Sequence, residues 1–259
     1  MLDSSHIKLS QEKIPKLVLG YASTTFVSLV LHGIYSLLDS LFVSWGVGDN
    51  AMGGLSIVFP FVLLQAAIAT ALGGGTASIV SRKIGAQKLY EAGNVAFNAM
   101  LTFWITAIIT TILGFVLMTP LLNVMGVTAE LRAYAKDYFS IILIGNVFST
   151  GFSSIIRAEG KMRYGLLIWA IPIAVNIILD VVFILVLGWG VKGSALATVV
   201  CQFTSFSMSI LFFTKFSTLK FEGVRFDLRV VRDILLVGLP ALVQSLVSSL
   251  SLLLANNGG

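Results

Sequence analysis

Seven stretches of this sequence run for about twenty residues or more on mostly apolar side chains, the length a helix needs to cross the hydrocarbon core of a bilayer. They are Leu17–Trp45, Gly54–Ile79, Val95–Thr119, Tyr138–Ile156, Leu166–Leu187, Ser194–Phe213 and Ile234–Leu254. None alternates apolar and polar residues with period two over the length of a strand. Of the two backbone arrangements that satisfy their own hydrogen bonds in lipid, helices are therefore predicted over a β-barrel. Charge supply agrees with this. Only 11% of the 259 residues are charged, against about 25% in soluble domains, and the mean hydropathy is +0.96. A chain so short of charge cannot clothe a surface in water. The fold class read here is all-α: a polytopic membrane helix bundle with spans one to seven.

The basic residues are placed as topology signals. Of the 17 Lys and Arg residues, 14 fall in one set of alternating loops and only Arg132, Lys136 and Lys192 in the other. By the positive-inside rule the N-terminus is expected in the cytoplasm of a cell (inner) membrane. The net charge of +5 is accordingly no footprint for nucleic acid, because the cations lie in short loops and not on one face. No short apolar core with a small-residue cleavage site opens the chain, so no removable signal peptide is read. The lone cysteine, Cys201, excludes an internal disulfide framework and reads as a small core residue.

The longest hydrophilic stretch separates span six from span seven. It divides the chain into a polar cytoplasmic tail (1–13), a six-span unit (14–214), a cytoplasmic linker (215–233) and a seventh span (234–259). Aligning Asp39 with Asn256 sets Ser28-Leu29-Val30 on Ser245-Leu246-Val247. Span seven thus resembles span one, as at the start of a second repeat in transporters built from duplicated bundles.

Carboxylates inside apolar runs carry the chemistry. Almost all of the 12 acidic residues lie in tails or loops; Asp39 and Asp180 do not. A carboxylate near the bilayer centre costs on the order of 3 kcal/mol on insertion scales, and such residues mark ion or substrate paths. Asn176 precedes Asp180 by four residues, so both side chains leave one helix face. Pro172, a turn earlier, removes a backbone donor and tends to kink the helix. Together these offer hard oxygen ligands, suited to a small cation or a proton relay. Thr198 and Gln202 on span six are also four apart, and Tyr35 precedes Asp39 by four. Asp180 and Thr198 lie at similar distances from the Gly190 turn, and Asp39 at a comparable distance from Gly46–Gly48. All three should therefore sit at one depth, with Asp39, Asn176, Asp180 and Thr198 converging in one water-accessible pocket. His32 is read as a structurally hydrogen-bonded histidine, with a proton relay as the alternative, and Gln65, Asn94, Asn98, Asn146 and Gln244 as residues that either line a cavity or glue helices together. Gly73-Gly74-Gly75 is read as a site of close helix approach, and Pro60 and Pro240 as kinks or hinges.

With these residues in hand, nearly the whole chain from Ile14 onward resembles the multidrug and toxic compound extrusion family, MATE, in its DinF-like branch. The resemblance rests on Tyr35-Ser-Leu-Leu-Asp39, Phe59-Pro60-Phe61 and Ser81-Arg82-Lys83-Ile-Gly85-Ala86. It continues through Arg157-Ala-Glu159-Gly160, Asn176-Ile-Ile-Leu-Asp180, Gly190-Val-Lys-Gly193-Ser-Ala-Leu-Ala-Thr198 and Gly238-Leu-Pro240. It implies twelve helices in two six-helix lobes, of which this chain carries the first and the start of the second; the missing C-terminal lobe is an expected partner. It also implies efflux of small, drug-like, often cationic organic compounds by alternating access, driven by Na⁺ or H⁺, with no cofactor and no enzymatic reaction. The implied cation or proton site is Asp39, Asn176, Asp180 and Thr198, with Tyr35 and Gln202 in support; these are also the residues that would hold Na⁺. One departure is plain: where the family carries a Pro near the start of span one, this chain has Gly20-Tyr21-Ala22-Ser23.

Three readings rival this one, the first in the same broad class and the other two in different classes. A lipid-linked oligosaccharide flippase would be expected to have a large basic cavity, and the spans carry no Lys or Arg. An intramembrane aspartyl protease commonly has Gly-x-Gly-Asp, whereas Ile-Ile-Leu precedes Asp180. A non-transporting membrane fragment is the third, on the ground of length.

Overall fold

The structure is a computed structural model that describes residues 14–124, 128–148 and 151–257, apart from some side chains near these limits. The tail 1–13 lies outside the described residues. The helices are α1 (Ile14–Val47), α2 (Asp49–Gly85), α3 (Leu89–Val124), α4 (Ala129–Gly145), α5 (Phe152–Ala158), α6 (Met162–Asp180), α7 (Gly190–Lys215) and α8 (Leu228–Asn257). A 3₁₀ turn, Asn146–Phe148, follows α4, and a π-helical segment, Val181–Val186, continues α6. Strands are absent among the described residues. Among the described residues six spans are long and apolar enough to cross a membrane, α4 and α5 together making one of them. The seventh apolar run forms α8, a 30-residue helix whose last turns carry side chains outside the described set.

Two spans differ from the uninterrupted helices read from sequence. Span four breaks at Asn146, and hydrogen bonds to α3 offset the break. Asn146 is buried; its Nδ2 donates to the Ala107 carbonyl at 3.1 Å and to the hydroxyls of Thr110 and Thr111 at 3.0 and 3.2 Å. Thr111 in turn donates to the Leu143 carbonyl at 3.0 Å, one of the acceptors a helix end leaves orphaned. Span five changes from α to π immediately after Asp180, with Leu187 donating from its N–H to the Val182 carbonyl five residues back. Both departures rest on tertiary partners, which a hydropathy window does not see.

The main apolar core lies at the end of the bundle that carries the interspan basic loops. It joins Leu72, Val80 and Ile84 of α2, Val95 and Phe103 of α3, Phe152 and Ile155 of α5, Leu219 of the linker and Ile234 of α8. The glycine run of α2 sits where three helices meet. A Cβ at Gly73 would press on the Ser154 side chain of α5. One at Gly75 would sit well inside van der Waals contact distance of the Ile234 carbonyl oxygen, and one at Gly238 of α8 would meet the Ala71 carbonyl in the same way. α2 and α8 thus touch backbone to backbone, which only residues without a side chain permit. At the opposite end, Gly188 and Gly190 adopt positive φ and return the chain tightly from the π segment into α7. That turn makes α6 and α7 antiparallel neighbours.

Candidate functional site

Between α1, α2, α3, α4 and α7 lies a cavity of about 920 Å³. Its polar lining includes His32, Tyr35, Asp39, Gln65, Thr198 and Gln202, with Phe59 and Phe103 among the apolar wall, and among the described residues no Lys or Arg reaches it. His32 packs edge-on against Trp169 at 5.8 Å between ring centroids and lies 6.0 Å from Tyr35.

Behind the wall that Asp39 and Thr198 form, α6 presents Asn176 and Asp180, both fully buried. Neither lines the cavity, so the expected single water-accessible pocket is a two-layer arrangement: Asp39, Thr198, Tyr35 and Gln202 face the cavity, and Asn176 and Asp180 sit behind. Asp180 is placed there by its position at the last α-helical residue of α6, where the wider π turn begins. The C-terminal end of α1 closes on this same turn, since a Cβ on Gly46 would collide with the side chain of Ile184.

Side chains of the wall and of the layer behind it share a lack of partners. Both oxygens of Asp180, both polar atoms of the Asn176 amide, the Thr198 hydroxyl and the Gln202 oxygen are buried without a hydrogen bond. Buried polar atoms are ordinarily paired, and each unpaired one carries a desolvation cost of about 1–3 kcal/mol. Among them Asp180, Asn176 and Thr198 supply carboxylate, amide and hydroxyl groups, a donor set that fits a hard cation or a proton. Asp39 and Asp180 are near enough for their carboxyls to interact electrostatically. Asp39 alone of the two has a donor, the Ser194 hydroxyl, at 3.3 Å from its Oδ1. The hydroxyls of Tyr35 and Tyr138 both approach Thr198, although neither reaches the geometry of a hydrogen bond. Among the described residues no group of three His, Cys, Asp or Glu side chains gathers to hold a metal.

Sequence reasoning passed over Ser194 and Tyr138. Ser194 lies one turn before Thr198 on α7, so the same four-residue spacing that joined Thr198 to Gln202 could have found it. Tyr138 carried a weaker signal, a polar tip at the start of an apolar run. The remaining polar residues divide. Gln65 lines the cavity with its Nε2 unpaired, Asn146 braces the break in span four, and Asn94 and Asn98 hold the linker.

A family model described as MatE matches residues 25–182. The FAD transporter of Shewanella oneidensis is 24% identical over 203 residues, covering 76% of this chain and 45% of that protein. Probable multidrug resistance protein YpnP of Bacillus subtilis is 24% identical over 244 residues, 92% of this chain and 54% of that protein. Among solved structures, the MATE multidrug transporter DinF-BH superposes with a TM-score of 0.87 at 33% identity, over 95% of this chain and 56% of that one. A MATE in complex with MaL6 gives 0.90 at 28% identity, over 99% of this chain and 58% of that one. The chain spans about half the length of the curated relatives it matches.

Proposed function

The chain belongs to the MatE family of multi-pass membrane transporters, and from that premise we propose that it forms the first lobe of a cation-coupled exporter of organic compounds. Members of the family are transporters and not enzymes, which removes the protease reading. The proposed units are the tail 1–13, the lobe 14–214, the linker 215–233 and a seventh helix 234–259 that begins a second lobe of the DinF-like branch. The observation that carries the reading is the set of buried, unpaired oxygens of Asp180, Asn176 and Thr198, set against Asp39 in the wall of a large cavity.

Two facing carboxyls with amide and hydroxyl oxygens around them hold one H⁺ or one Na⁺ as a co-transported substrate. Tyr35 orients the Asp39–Thr198 wall, and Gln202 extends it one turn along α7. Occupancy changes the charge and packing between α1, α6 and α7, and so biases two arrangements of the bundle if they bind the ion differently. The π turn after Asp180 is the element placed to feel that change. On the compound side, the cavity carries Asp39 and aromatic walls and no cation in its described lining, which favours organic cations. The likeness to a FAD transporter raises an anionic cargo as a second reading, and this lining opposes it. The same lack of Lys and Arg opposes an oligosaccharide flippase.

The chain spans about half the length of its curated relatives, and export is proposed to require a second lobe, as in transporters built from duplicated bundles. The membrane is proposed to be the cell membrane, with the N-terminus cytoplasmic. The test is ²²Na⁺ and proton binding to the purified chain in lipid nanodiscs, followed by export of ethidium, a fluorescent organic cation, from vesicles when a second lobe is supplied. Ion binding that Asp180→Asn abolishes, with export only when both lobes are present, is the expected result. Ion binding unchanged in both Asp39→Asn and Asp180→Asn would overturn the site. Export by the 259-residue chain alone would overturn the need for a second lobe.

A further inference from the structure

The loop between α7 and α8 has the composition of a free tether, yet it is fastened to the bundle at two points by buried polar side chains. The first is Glu159, in the turn between α5 and α6 and fully buried. Its Oε1 accepts from the Ser217 hydroxyl at 2.8 Å, and its Oε2 accepts from the Thr218 N–H at 2.8 Å and the Thr218 hydroxyl at 3.1 Å. The second is the pair Asn94 and Asn98 on α3. Asn98, also fully buried, accepts from the Asp227 N–H at 2.8 Å and donates to the Arg225 carbonyl at 2.9 Å, while Asn94 accepts from the Arg225 N–H at 2.9 Å. Between the clamps the Lys220 backbone lies directly on Gly93, where an added Cβ would strike the Lys220 carbonyl, and Leu219 enters the main core.

The fastening continues into α8. Ile234 is fully buried, and the Gly75 and Gly238 contacts seat the helix on α2. Two residues later the helix meets Pro240, which has no N–H to give the Leu236 carbonyl and so weakens the helix at that point; the apolar side chains on its outer face are half-exposed on both sides of it, Leu235 and Leu236 at 49% and 50% and Val243 and Val247 at 56%.

We propose that Glu159, Asn94 and Asn98 are positioning residues that make the linker and the first three turns of α8 a fixed part of the six-helix lobe. The rest of α8 and whatever follows it then pivot about Gly238–Pro240, and the linker does not act as the hinge. This rests on the transport reading only for the purpose of the motion. The clamps are read from contacts and the pivot from Pro240, so their test and the ion-binding test can fail separately.

The experiment uses the full 259-residue chain in nanodiscs. Amide hydrogen exchange should find Thr218, Arg225 and Asp227 at least about 100-fold slower than in an unfolded chain. Glu159→Leu should release 217–219 and leave 225–227 slow, and Asn98→Leu should do the reverse. Glu159→Gln keeps an acceptor for the Thr218 N–H and should restore protection, which a merely destabilised fold would not do. Spin labels on chains altered otherwise only by Cys201→Ser, which removes the native thiol, each paired with Lys88→Cys, decide the pivot even if a clamp variant fails to fold. Glu222→Cys and Leu235→Cys should give narrow distance distributions, and Val243→Cys a broader one. Exchange of the three amides at unfolded rates, or a distribution at Glu222 as broad as at Val243, would overturn the proposal.

Discussion

Glu159 and Asp180 are both fully buried carboxylates in one lobe, and their surroundings are opposite. Glu159, at the end bearing the interspan basic loops, accepts three hydrogen bonds from the linker. Asp180, toward the other end, accepts none, and its neighbours Asn176 and Thr198 are equally without partners. A buried carboxylate that is fully hydrogen-bonded helps specify one structure, whereas one left bare is tolerated when something outside the chain completes it. Burial alone would have ranked the two together. Their partners separate a fastening from a receptor.

The largest expected effect is on the receptor side. Asp180→Asn keeps size and removes the charge, so ion binding should fall at least about 100-fold while the thermal midpoint moves little. Titration of ²²Na⁺ or of proton uptake on the purified chain measures the first, and thermal unfolding in detergent the second. A variant that unfolds would make Asp180 a fastening like Glu159 and erase the contrast.

On the fastening side the consequence is in stability. Glu159→Leu strands the Thr218 N–H and the Ser217 and Thr218 hydroxyls against an apolar side chain. With each stranded donor costing about 1–3 kcal/mol and some relaxation, a loss of about 3 kcal/mol is expected. Ion affinity per folded molecule should not change. Equal losses of stability from Glu159→Leu and Asp180→Leu would show that partners do not distinguish the two sites.

The sequence exposed these two residues unequally, for a physical reason. Asp39 and Asp180 stood out because charge is rare inside apolar runs, and helix spacing led from them to Asn176, Thr198, Tyr35 and Gln202. Depth counted from the turns brought α1, α6 and α7 to one level. It did not say which side chains face the cavity, because that depends on how far α6 is rotated, and the rotation is set by contacts such as that between Gly46 and Ile184. Glu159 was visible only as one letter of Arg157-Ala-Glu159-Gly160. Its donors, Ser217 and Thr218, lie far along the chain in a stretch that reads as solvent-exposed, and no periodicity links them. The breaks in spans four and five escaped for the same reason, since Asn146 and the π turn are held by neighbouring helices.

The close approach of α2 and α8 offers an intermediate effect. Gly75→Ala puts a methyl against the Ile234 carbonyl, a backbone atom that cannot swing aside. A cost of about 1–3 kcal/mol is expected, typical of overpacking. Gly74→Ala, whose Cβ would meet only the Ala241 side chain at 3.8 Å, should be nearly neutral. The pair, compared by thermal unfolding, distinguishes backbone contact from a general dislike of methyl groups in that run. It also bears on the fastening, because a displaced α8 should loosen the linker amides without altering ion binding.

The smallest effect is the most discriminating, because it titrates Glu159 itself. Burial pushes the Glu159 carboxyl above the ordinary glutamate range, while the donors from Thr218 and Ser217, together with the charge of Lys161, pull it back. The folded state therefore holds this proton more tightly than the unfolded chain does. Stability from that preference is full at pH below the ordinary glutamate value of about 4.3 and is lost as pH rises through the raised folded value. Other carboxylates contribute their own slopes, so the quantity to follow is the difference between wild type and Glu159→Gln, whose amide does not titrate. Wild type should lose stability relative to the glutamine variant as pH climbs from about 4 toward neutrality, and the gap should then level off. The three donors limit the size of the loss, since they stabilise the ionised form that burial opposes. A difference that runs the other way, with wild type gaining on the variant as pH rises, would mean that the donors outweigh burial. Glu159 would then be a stronger fastening than its burial implies, and its contrast with Asp180 would sharpen.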